Sequence, residues 1–345
     1  PTHYILDIGK STVNLRDDVC IKGNTSQNGS NLVFISTAIS NNYNAFLNMY
    51  GQSCVDGSEG GRCGILVAYG QLNMYNSSCI KNINATYGKG ISSYSGTTVI
   101  MHDSSTIENC SRGIFACGSF TMKDSSRITS CTYTQTGSSL YDGAGVYVDT
   151  NATFTMEDNS SITNCNAYNG GAVNIYEGKF IMNGGSIEDC TAGGATCDGN
   201  GGGVSISNNS RFIMEAGEIK RCKVTAEYAR PVWGSSWGGG VCVSGTFEMK
   251  GGLITACTAK PGARGVGEGG GVTTSSNGSF IMSGNACIEN CTDSTGSGVH
   301  NNGWFTIRDS AKVTNNVSNG KGINADGGTI EGEVMNKYRW SKIVG

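Results

Sequence analysis

The chain has 345 residues, a formal net charge of −3 and an unusual composition, with 53 Gly but only 3 Pro. The small negative charge excludes the basic footprint of a nucleic-acid-binding protein, and no run of about 18 apolar residues predicts a membrane-spanning segment. Abundant glycine without proline excludes collagen-like repeats and favours short strands joined by many turns.

The first part of the chain, residues 1–45, shows no regular pattern. We predict that it forms an N-terminal cap and a first irregular coil. The first residue is Pro1 and not Met, so we expect the chain to be a processed product. Internal repeats then occupy residues 46–330, and residues 331–345 are predicted to form a C-terminal cap or tail.

Three short patterns recur in fixed order along residues 46–330. The first is a glycine pair or triplet followed by a small or branched apolar residue, with clear copies at Gly170, Gly201, Gly238 and Gly269. The second is Phe-x-Met, with copies at Phe120, Phe154, Phe180, Phe212, Phe247 and Phe280, continued by Phe305-Thr-Ile307. The third is Ile-x-x-Cys, which ends at Cys110, Cys131, Cys165, Cys190, Cys222, Cys257 and Cys291.

The spacing of these patterns predicts one coil of a solenoid per repeat. Successive Met residues from Met101 to Met282 are separated by 21 to 35 residues, and the shortest gap holds three strands and three turns. Within a strand the apolar residues at i and i+2 share one face, and stacking like strands about 4.8 Å apart buries that face. Glycine before Val permits a positive-φ corner. We therefore predict an all-β, single-domain, right-handed parallel β-helix of about 11 coils, similar to the pectate-lyase solenoid.

The combined motif resembles the β-helix of polymorphic outer membrane proteins, in which glycine-rich and aromatic-strand motifs recur. It is also similar to the large repeat-rich adhesins of gut anaerobes. The resemblance covers roughly Phe46 to Ile330 and implies a surface-exposed solenoid. Cys mostly stands where that family has Asn, and neither an autotransporter barrel nor a cell-wall sorting motif is recognisable. The membrane anchoring of that family is therefore not carried over.

The cysteine column leaves two alternatives open. Stacked coils bring neighbouring Cα atoms about 5 Å apart, within the range that a disulfide spans. The seven residues that end the Ile-x-x-Cys copies therefore form either a disulfide ladder or a buried column of free thiols that pack as small hydrophobic side chains. No Cys-x-x-Cys spacing occurs among the 15 Cys, so we predict no structural metal site and no cofactor.

Four insertions separate the Ile-x-x-Cys strand from the next glycine-rich strand, at residues 132–142, 191–200, 223–237 and 258–268. All four are predicted to leave the same edge of the solenoid. Their aromatic and basic side chains suit stacking on sugar rings or anchoring a protein partner. The candidate ligand-binding residues are Tyr228, Arg230, Trp233, Trp237, Lys260 and Arg264. The alternative is that Trp233 and Trp237 fold back and cover the side of the solenoid.

Catalytic signatures of β-helix polysaccharide lyases and hydrolases are absent from the sequence. The residues His3, His102 and His300 do not share a coil. Three carboxylates follow the Met column in neighbouring coils and are interpreted as turn residues: Asp103, Asp124 and Asp158. No regular Thr-x-Thr array supports ice binding. We therefore predict no catalytic residue.

These observations predict a non-catalytic extracellular adhesin or surface-binding protein, whose insertion loops contact a glycan or a cell-surface protein. The alternatives are a structural subunit of an extracellular filament, built from copies of the chain itself, and a polysaccharide lyase or glycoside hydrolase. The many Cys favour an oxidising compartment, and therefore secretion or the cell surface. The 11 Asn-x-Ser/Thr sequons would carry glycans in a eukaryotic secreted protein.

Overall fold

A computed structural model describes residues 4–23, 31–35, 45–58, 61–86, 88–133, 142–193, 199–225, 236–260, 266–293, 298–316, 323–325, 329–336 and 339–342. Strands are the only extended regular elements within these ranges, which contain no helix. We number the strands β1 to β44 in chain order.

Most strands belong to three long sheets. Sheet 1 consists of β1 (Leu6–Ile8), β4 (Asn31–Ile35), β7 (Cys63–Val67), β10 (Lys89–Ser93), β13 (Arg112–Ala116), β17 (Val146–Val148), β21 (Val173–Ile175), β26 (Val204–Ile206), β31 (Val241–Val243), β36 (Val272–Thr274), β39 (Val299–Asn301) and β42 (Ile323–Ala325). Sheet 2 consists of β2 (Thr12–Leu15), β5 (Phe46–Met49), β8 (Gln71–Met74), β11 (Thr98–Met101), β14 (Ser119–Met122), β18 (Thr153–Met156), β22 (Lys179–Met182), β27 (Arg211–Met214), β32 (Thr246–Met249), β37 (Ser279–Met282), β40 (Trp304–Ile307), β43 (Thr329–Asn336) and β44 (Arg339–Lys342). Sheet 3 consists of β3 (Cys20–Lys22), β6 (Cys54–Asp56), β9 (Cys79–Lys81), β12 (Thr106–Glu108), β15 (Arg127–Thr129), β19 (Ser161–Thr163), β23 (Ser186–Glu188), β28 (Glu218–Lys220), β33 (Leu253–Thr255), β38 (Cys287–Glu289) and β41 (Lys312–Thr314).

Each strand pairs in parallel with the equivalent strand of the next coil. The register aligns like with like, so that Phe154 of β18 pairs with Phe180 of β22 and Met156 pairs with Met182. The chain therefore visits sheets 1, 2 and 3 in turn and advances by one strand in each, which is a parallel β-helix and confirms the predicted fold. The single antiparallel pair among the described strands is β43 with β44.

The predicted division of the chain at residue 45 stays a prediction. Strands β1, β2 and β3 already pair with β4, β5 and β6, so the three long sheets begin within residues 4–23. At the other end, β43 and β44 pair in an antiparallel arrangement.

The interior contains an unbroken stack of phenylalanine rings. Their centroids are 4.5 to 5.0 Å apart and each side chain is at most 1% exposed, for Phe120, Phe154, Phe180, Phe212, Phe247, Phe280 and Phe305. The i and i+2 pattern produces this stack because alternate residues of a strand point to the same face. The predicted inward direction of these rings is confirmed.

Gly201 shows why glycine precedes the strands of sheet 1 that follow an insertion. Its φ is +62°, and a Cβ atom would lie 2.0 Å from the backbone oxygen of Val204. Any other side chain would meet both a steric clash and an unfavourable left-handed conformation. The glycine repeat therefore marks the corner between each insertion and the next strand of sheet 1.

The seven residues of the cysteine column are free thiols in the structure, each at most 1% exposed. Each sulfur donates a weak hydrogen bond to the carbonyl oxygen two residues earlier, as Cys190 Sγ does to Glu188 O at 3.2 Å. One coil beyond Cys291, Asn316 takes the equivalent place, and its Nδ2 donates to Ile288 O at 3.1 Å. The column thus contains small buried hydrogen-bond donors, and the disulfide ladder that the spacing allows is not formed here.

The one disulfide among the described residues joins Cys20 of β3 to Cys54 of β6. It lies outside the Ile-x-x-Cys pattern, at the first position of strands in sheet 3. A repeated tripeptide marks this position in the sequence, since Cys-Ile-Lys occurs at residues 20–22 and again at 79–81.

The three aspartates that follow the Met column are turn residues, as interpreted from the sequence. Asp103, Asp124 and Asp158 all have a φ of 54°. The Asp103 backbone N–H donates to Asp124 Oδ2 at 2.9 Å, and the Asp124 N–H donates to Asp158 Oδ2 at 3.0 Å. Each of these two carboxylates therefore stabilises the turn of the preceding coil, as short polar side chains commonly do.

Candidate functional site

Two short additional sheets hold both ends of three insertions and the start of the fourth, at residues 132–142. Sheet 4 contains strands where insertions and shorter connections begin: β16 (Thr132–Tyr133), β20 (Asn166–Ala167), β24 (Thr191–Ala192), β29 (Lys223–Thr225) and β34 (Thr258–Lys260). Sheet 5 contains strands where three insertions end: β25 (Gly199–Asn200), β30 (Ser236–Trp237) and β35 (Gly267–Glu268). We call the surface formed by β24, β25, β29, β30, β34 and β35 the insertion edge.

The two short sheets align the insertions of three successive coils. Thr225 pairs with Lys260 in sheet 4, and Trp237 pairs with both Asn200 and Glu268 in sheet 5. A hydrogen bond of 2.8 Å from Ser236 Oγ to the Lys260 carbonyl joins the two sheets. The insertions at residues 191–200, 223–237 and 258–268 therefore leave the same edge of the solenoid, as predicted.

Of the six candidate ligand-binding residues, the described part of the chain contains Trp237 and Lys260. Trp237 is half-buried in β30 and Lys260 is exposed at the end of β34. Trp237 ends the insertion at residues 223–237 in sheet 5, and Lys260 lies in sheet 4 where the next insertion begins, so the two residues belong to neighbouring insertions of the insertion edge. The other four lie outside the described residues: Tyr228, Arg230, Trp233 and Arg264.

The outward face of sheet 1 is buried at the middle residue of each strand from β17 to β39. Between the inward-pointing Val204 and Ile206, for example, the outward Ser205 is only 9% exposed. Equivalent outward side chains are also buried, namely Tyr147, Asn174, Cys242, Thr273 and His300. In the first coil the equivalent residue, Asp7, is exposed. The insertion edge therefore packs on the solenoid wall.

Polar side chains near the ends of the insertions form two groups, one that runs from Asp142 to Asn200 and one that pairs Glu268 on the insertion edge with His300 on sheet 1. We call Asp142, Asn169, Asn200, Glu268 and His300 the polar seam. Asn169 Nδ2 donates to Asp142 Oδ2 at 2.7 Å, and Asn200 Nδ2 donates to Asn169 Oδ1 at 2.7 Å. Glu268 Oε2 lies 3.4 Å from His300 Nε2. Buried hydrogen bonds of this kind are costly to break, so the seam fixes the ends of the insertions.

A buried carboxyl group begins the seam. Asp142 is fully buried, and its Oδ1 has no hydrogen-bond partner among the described residues. Burial raises the pKa of Asp142 to about 6, although the hydrogen bond from Asn169 and the charge of Arg112 act in the opposite direction. The Arg112 guanidinium lies 3.9 Å from the Tyr133 ring centroid, and burial lowers its pKa. Both groups are therefore held in a poorly solvated environment.

The carboxylate–imidazole pair of Glu268 and His300 was not found from the sequence. The His300 side chain is only 3% exposed, while that of Glu268 is 20% exposed. The imidazole, carried by β39, is therefore buried beneath the insertion edge, where it contacts Glu268. The sequence indicates this pair only by position within the repeat. Glu268 immediately precedes a glycine triplet, and His300 follows the Gly-Val of the next coil.

A second surface feature lies at the turns between sheets 2 and 3. The rings of Tyr50, Tyr75 and His102 are stacked with centroid distances of 4.9 and 4.6 Å, and the Arg16 guanidinium covers Tyr50 at 4.9 Å. The internal stacking occupies the ring faces, so this ladder offers mainly ring edges to a ligand. Sugar rings stack on aromatic faces, and this surface is therefore less suited to them than the insertion edge.

Comparisons of the chain with protein-family models, curated proteins and solved structures find no match. The likeness to polymorphic outer membrane proteins and adhesins accordingly rests on the repeat motifs. Among the described residues, no helix has the length and apolar character needed to cross a membrane.

Proposed function

We propose that the protein is a non-catalytic extracellular adhesin or surface-binding protein, which binds a glycan or a cell-surface protein through the insertion edge. The observation that carries this proposal is the pairing of both ends of three successive insertions in sheets 4 and 5. Loops that vary in length on a rigid scaffold commonly carry binding functions. The Cys20–Cys54 disulfide supports an oxidising compartment and thus an extracellular location.

The chemistry of the edge supports a glycan or a protein as its ligand. Trp237 contributes a large amphipathic ring, and the exposed Lys260 contributes a cation one coil further along. Aromatic and charged side chains of this kind supply much of the binding energy in recognition surfaces. The buried seam beneath the edge holds the strands in place, which reduces the entropy that ligand binding would otherwise cost.

Binding of the biotinylated full-length chain to a glycan array and to intact cells tests this proposal. We expect Lys260→Glu to weaken binding by about tenfold, and Trp237→Ala to weaken it further, because the ring contact contributes more than one exposed charge. Lys312→Glu on sheet 3 and Trp304→Ala on sheet 2 are matched controls, since Lys312 is exposed and Trp304 is 58% exposed. The melting temperature of each variant separates lost binding from lost folding.

Three results would contradict the proposal. The first is full binding by both edge variants. The second is release of sugar fragments from an acidic polysaccharide by the wild-type chain, which favours a lyase or hydrolase. The third is concentration-dependent growth of ordered fibres under the electron microscope without any bound ligand, which favours a filament subunit.

A further inference from the structure

Three cysteines occupy one outward column of sheet 3. Cys20, Cys54 and Cys79 are the first residues of β3, β6 and β9, and the register pairs Cys20 with Cys54 and Cys54 with Cys79. Cys20 and Cys54 are bonded, whereas Cys79 is a half-buried free thiol. We propose that Cys54 exchanges its disulfide partner between Cys20 and Cys79.

The register supplies the geometry for this exchange. The Cα atoms of Cys20 and Cys54 are 4.4 Å apart, and paired strands of a sheet are about 4.8 Å apart. The Cys54–Cys79 pair therefore also falls within the distance range of a disulfide. Because β6 lies between β3 and β9, Cys79 approaches Cys54 from the side opposite to Cys20. Thiol–disulfide exchange requires this in-line arrangement of attacking, central and leaving sulfur atoms.

The reaction is an isomerisation that needs no external oxidant. The Cys79 thiol loses its proton to solvent, and the resulting thiolate attacks Cys54 Sγ. The Cys54–Cys79 bond forms as the Cys20–Cys54 bond breaks, and the Cys20 thiolate leaves with the electron pair and takes up a proton. One disulfide and one thiol are present before and after the reaction.

The exchange moves a covalent link along the solenoid. In one isomer the link ties β3 to β6, and in the other it ties β6 to β9. In the second isomer the coil of residues 4–23 has no disulfide to the next coil. This coil is also less completely buried than those that follow, since Leu6, Val13 and Ile21 are only partly buried. We therefore expect partner exchange to control how readily this coil opens.

The surroundings of Cys79 make the exchange sensitive to pH. Burial raises the pKa of Cys79, opposed by the positive charge of Lys81 on the same strand and reinforced by the negative charges of Glu108 and Asp56 on the adjacent strands. The thiolate is therefore scarce at neutral pH. Below this pKa, the exchange rate should rise about tenfold per pH unit, because the rate follows the thiolate fraction.

Peptide mapping of the full chain under non-reducing conditions tests the proposal. Samples are held at pH 6 or pH 9, trapped by acid, alkylated and digested. Trypsin cleaves after Arg16, Lys22, Arg62 and Lys81, which puts the three cysteines on separate peptides, and chymotrypsin cleaves after Tyr75 to separate Cys79 from Cys63. We expect both linked pairs, Cys20–Cys54 and Cys54–Cys79, to be found, with faster approach to a constant ratio at pH 9.

Single substitutions restrict the chain to one of the two disulfide isomers, because each removes one partner of Cys54. Cys20→Ser should yield the Cys54–Cys79 bond, and Cys79→Ser should retain Cys20–Cys54 alone at both pH values. Cys287→Ser is the matched control, because Cys287 is in the same column but pairs with Leu253 and Lys312, and it should leave the map unchanged. Hydrogen exchange of residues 4–23 should be at least several-fold faster in Cys20→Ser than in Cys79→Ser.

Two results would overturn the proposal. One is a wild-type map that contains Cys20–Cys54 alone, or neither pair, after incubation at pH 9. The other is a Cys20→Ser chain in which Cys54 and Cys79 both remain free thiols after oxidative purification.

Discussion

Asp142 is a carboxyl group enclosed within the polar seam, with one oxygen bonded to Asn169 and the other unpartnered among the described residues. Its neutral form suits this environment better than its ionised form, and its pKa is accordingly raised to about 6. An unfolded chain would ionise the same group near pH 4. Between these two values the folded state binds more protons than the unfolded state, so the free energy of unfolding falls as the pH rises.

Asp142→Asn should remove this pH dependence. From pH 4.5 to pH 7, ionisation of Asp142 should lower the free energy of unfolding of the wild type by about 2 kcal/mol relative to the variant. Urea denaturation of both proteins at the two pH values measures this difference, and other titrating groups cancel in the comparison. Parallel pH profiles for the two proteins would mean that Asp142 is solvated and ionised in the folded state.

At the scale of the elements, the sequence predicted which residues form strands and which of them point inward. It did not predict which outward faces are covered by other segments. The period of two that makes Val204 and Ile206 point inward also predicts that Ser205 points outward. It carries no information on whether another segment packs over Ser205, because that depends on where the insertion returns. The predicted common edge for Trp237 and Lys260 followed from the repeat, whereas the contact of Asn169 with Asn200 depends on how the insertions return to the solenoid wall.

The phenylalanine stack should be the most sensitive element to side-chain removal. Phe212 lies between Phe180 and Phe247 at centroid distances of 4.5 and 4.7 Å, so Phe212→Ala would open a cavity within a close-packed column. We expect a loss of about 3–5 kcal/mol in the free energy of unfolding, measured by chemical denaturation. Trp304→Ala on the exposed face of sheet 2 is the control, and an equal loss in both variants would contradict the assigned packing.

The whole molecule behaves as a one-dimensional array, because each coil is paired mainly with its two neighbours. Stability in such an array is approximately a sum of coil and interface contributions. Residues 157–182 span one complete coil, since Met156 and Met182 occupy paired positions. Removing that segment would stack Phe154 on Phe212 and bring Asn200 to the place of Asn169 beside Asp142.

Deletion of residues 157–182 should therefore leave a folded protein. We expect a circular-dichroism spectrum dominated by β-structure, with an unchanged signal per residue and a lower melting temperature. Deletion of residues 157–169 alone is the control, because it removes half a coil and shifts the inward columns out of register. Folding of the half-coil deletion together with unfolding of the whole-coil deletion would be incompatible with interchangeable coils.

The identical columns also make it difficult for a strand to select its correct neighbouring coil during folding. A strand that pairs one coil too far along still places Phe on Phe and Met on Met, so the apolar interior barely distinguishes the correct neighbour from the next one. Side chains that differ between neighbouring coils make the distinction, because the position occupied by Asp142, Asn169 and Asn200 in three successive insertion ends is occupied by Trp237 in the next. A shifted coil would leave these buried polar groups unmatched, which is energetically costly. The polar seam thus distinguishes neighbouring coils and destabilises misfolded states in which a strand pairs with the wrong coil.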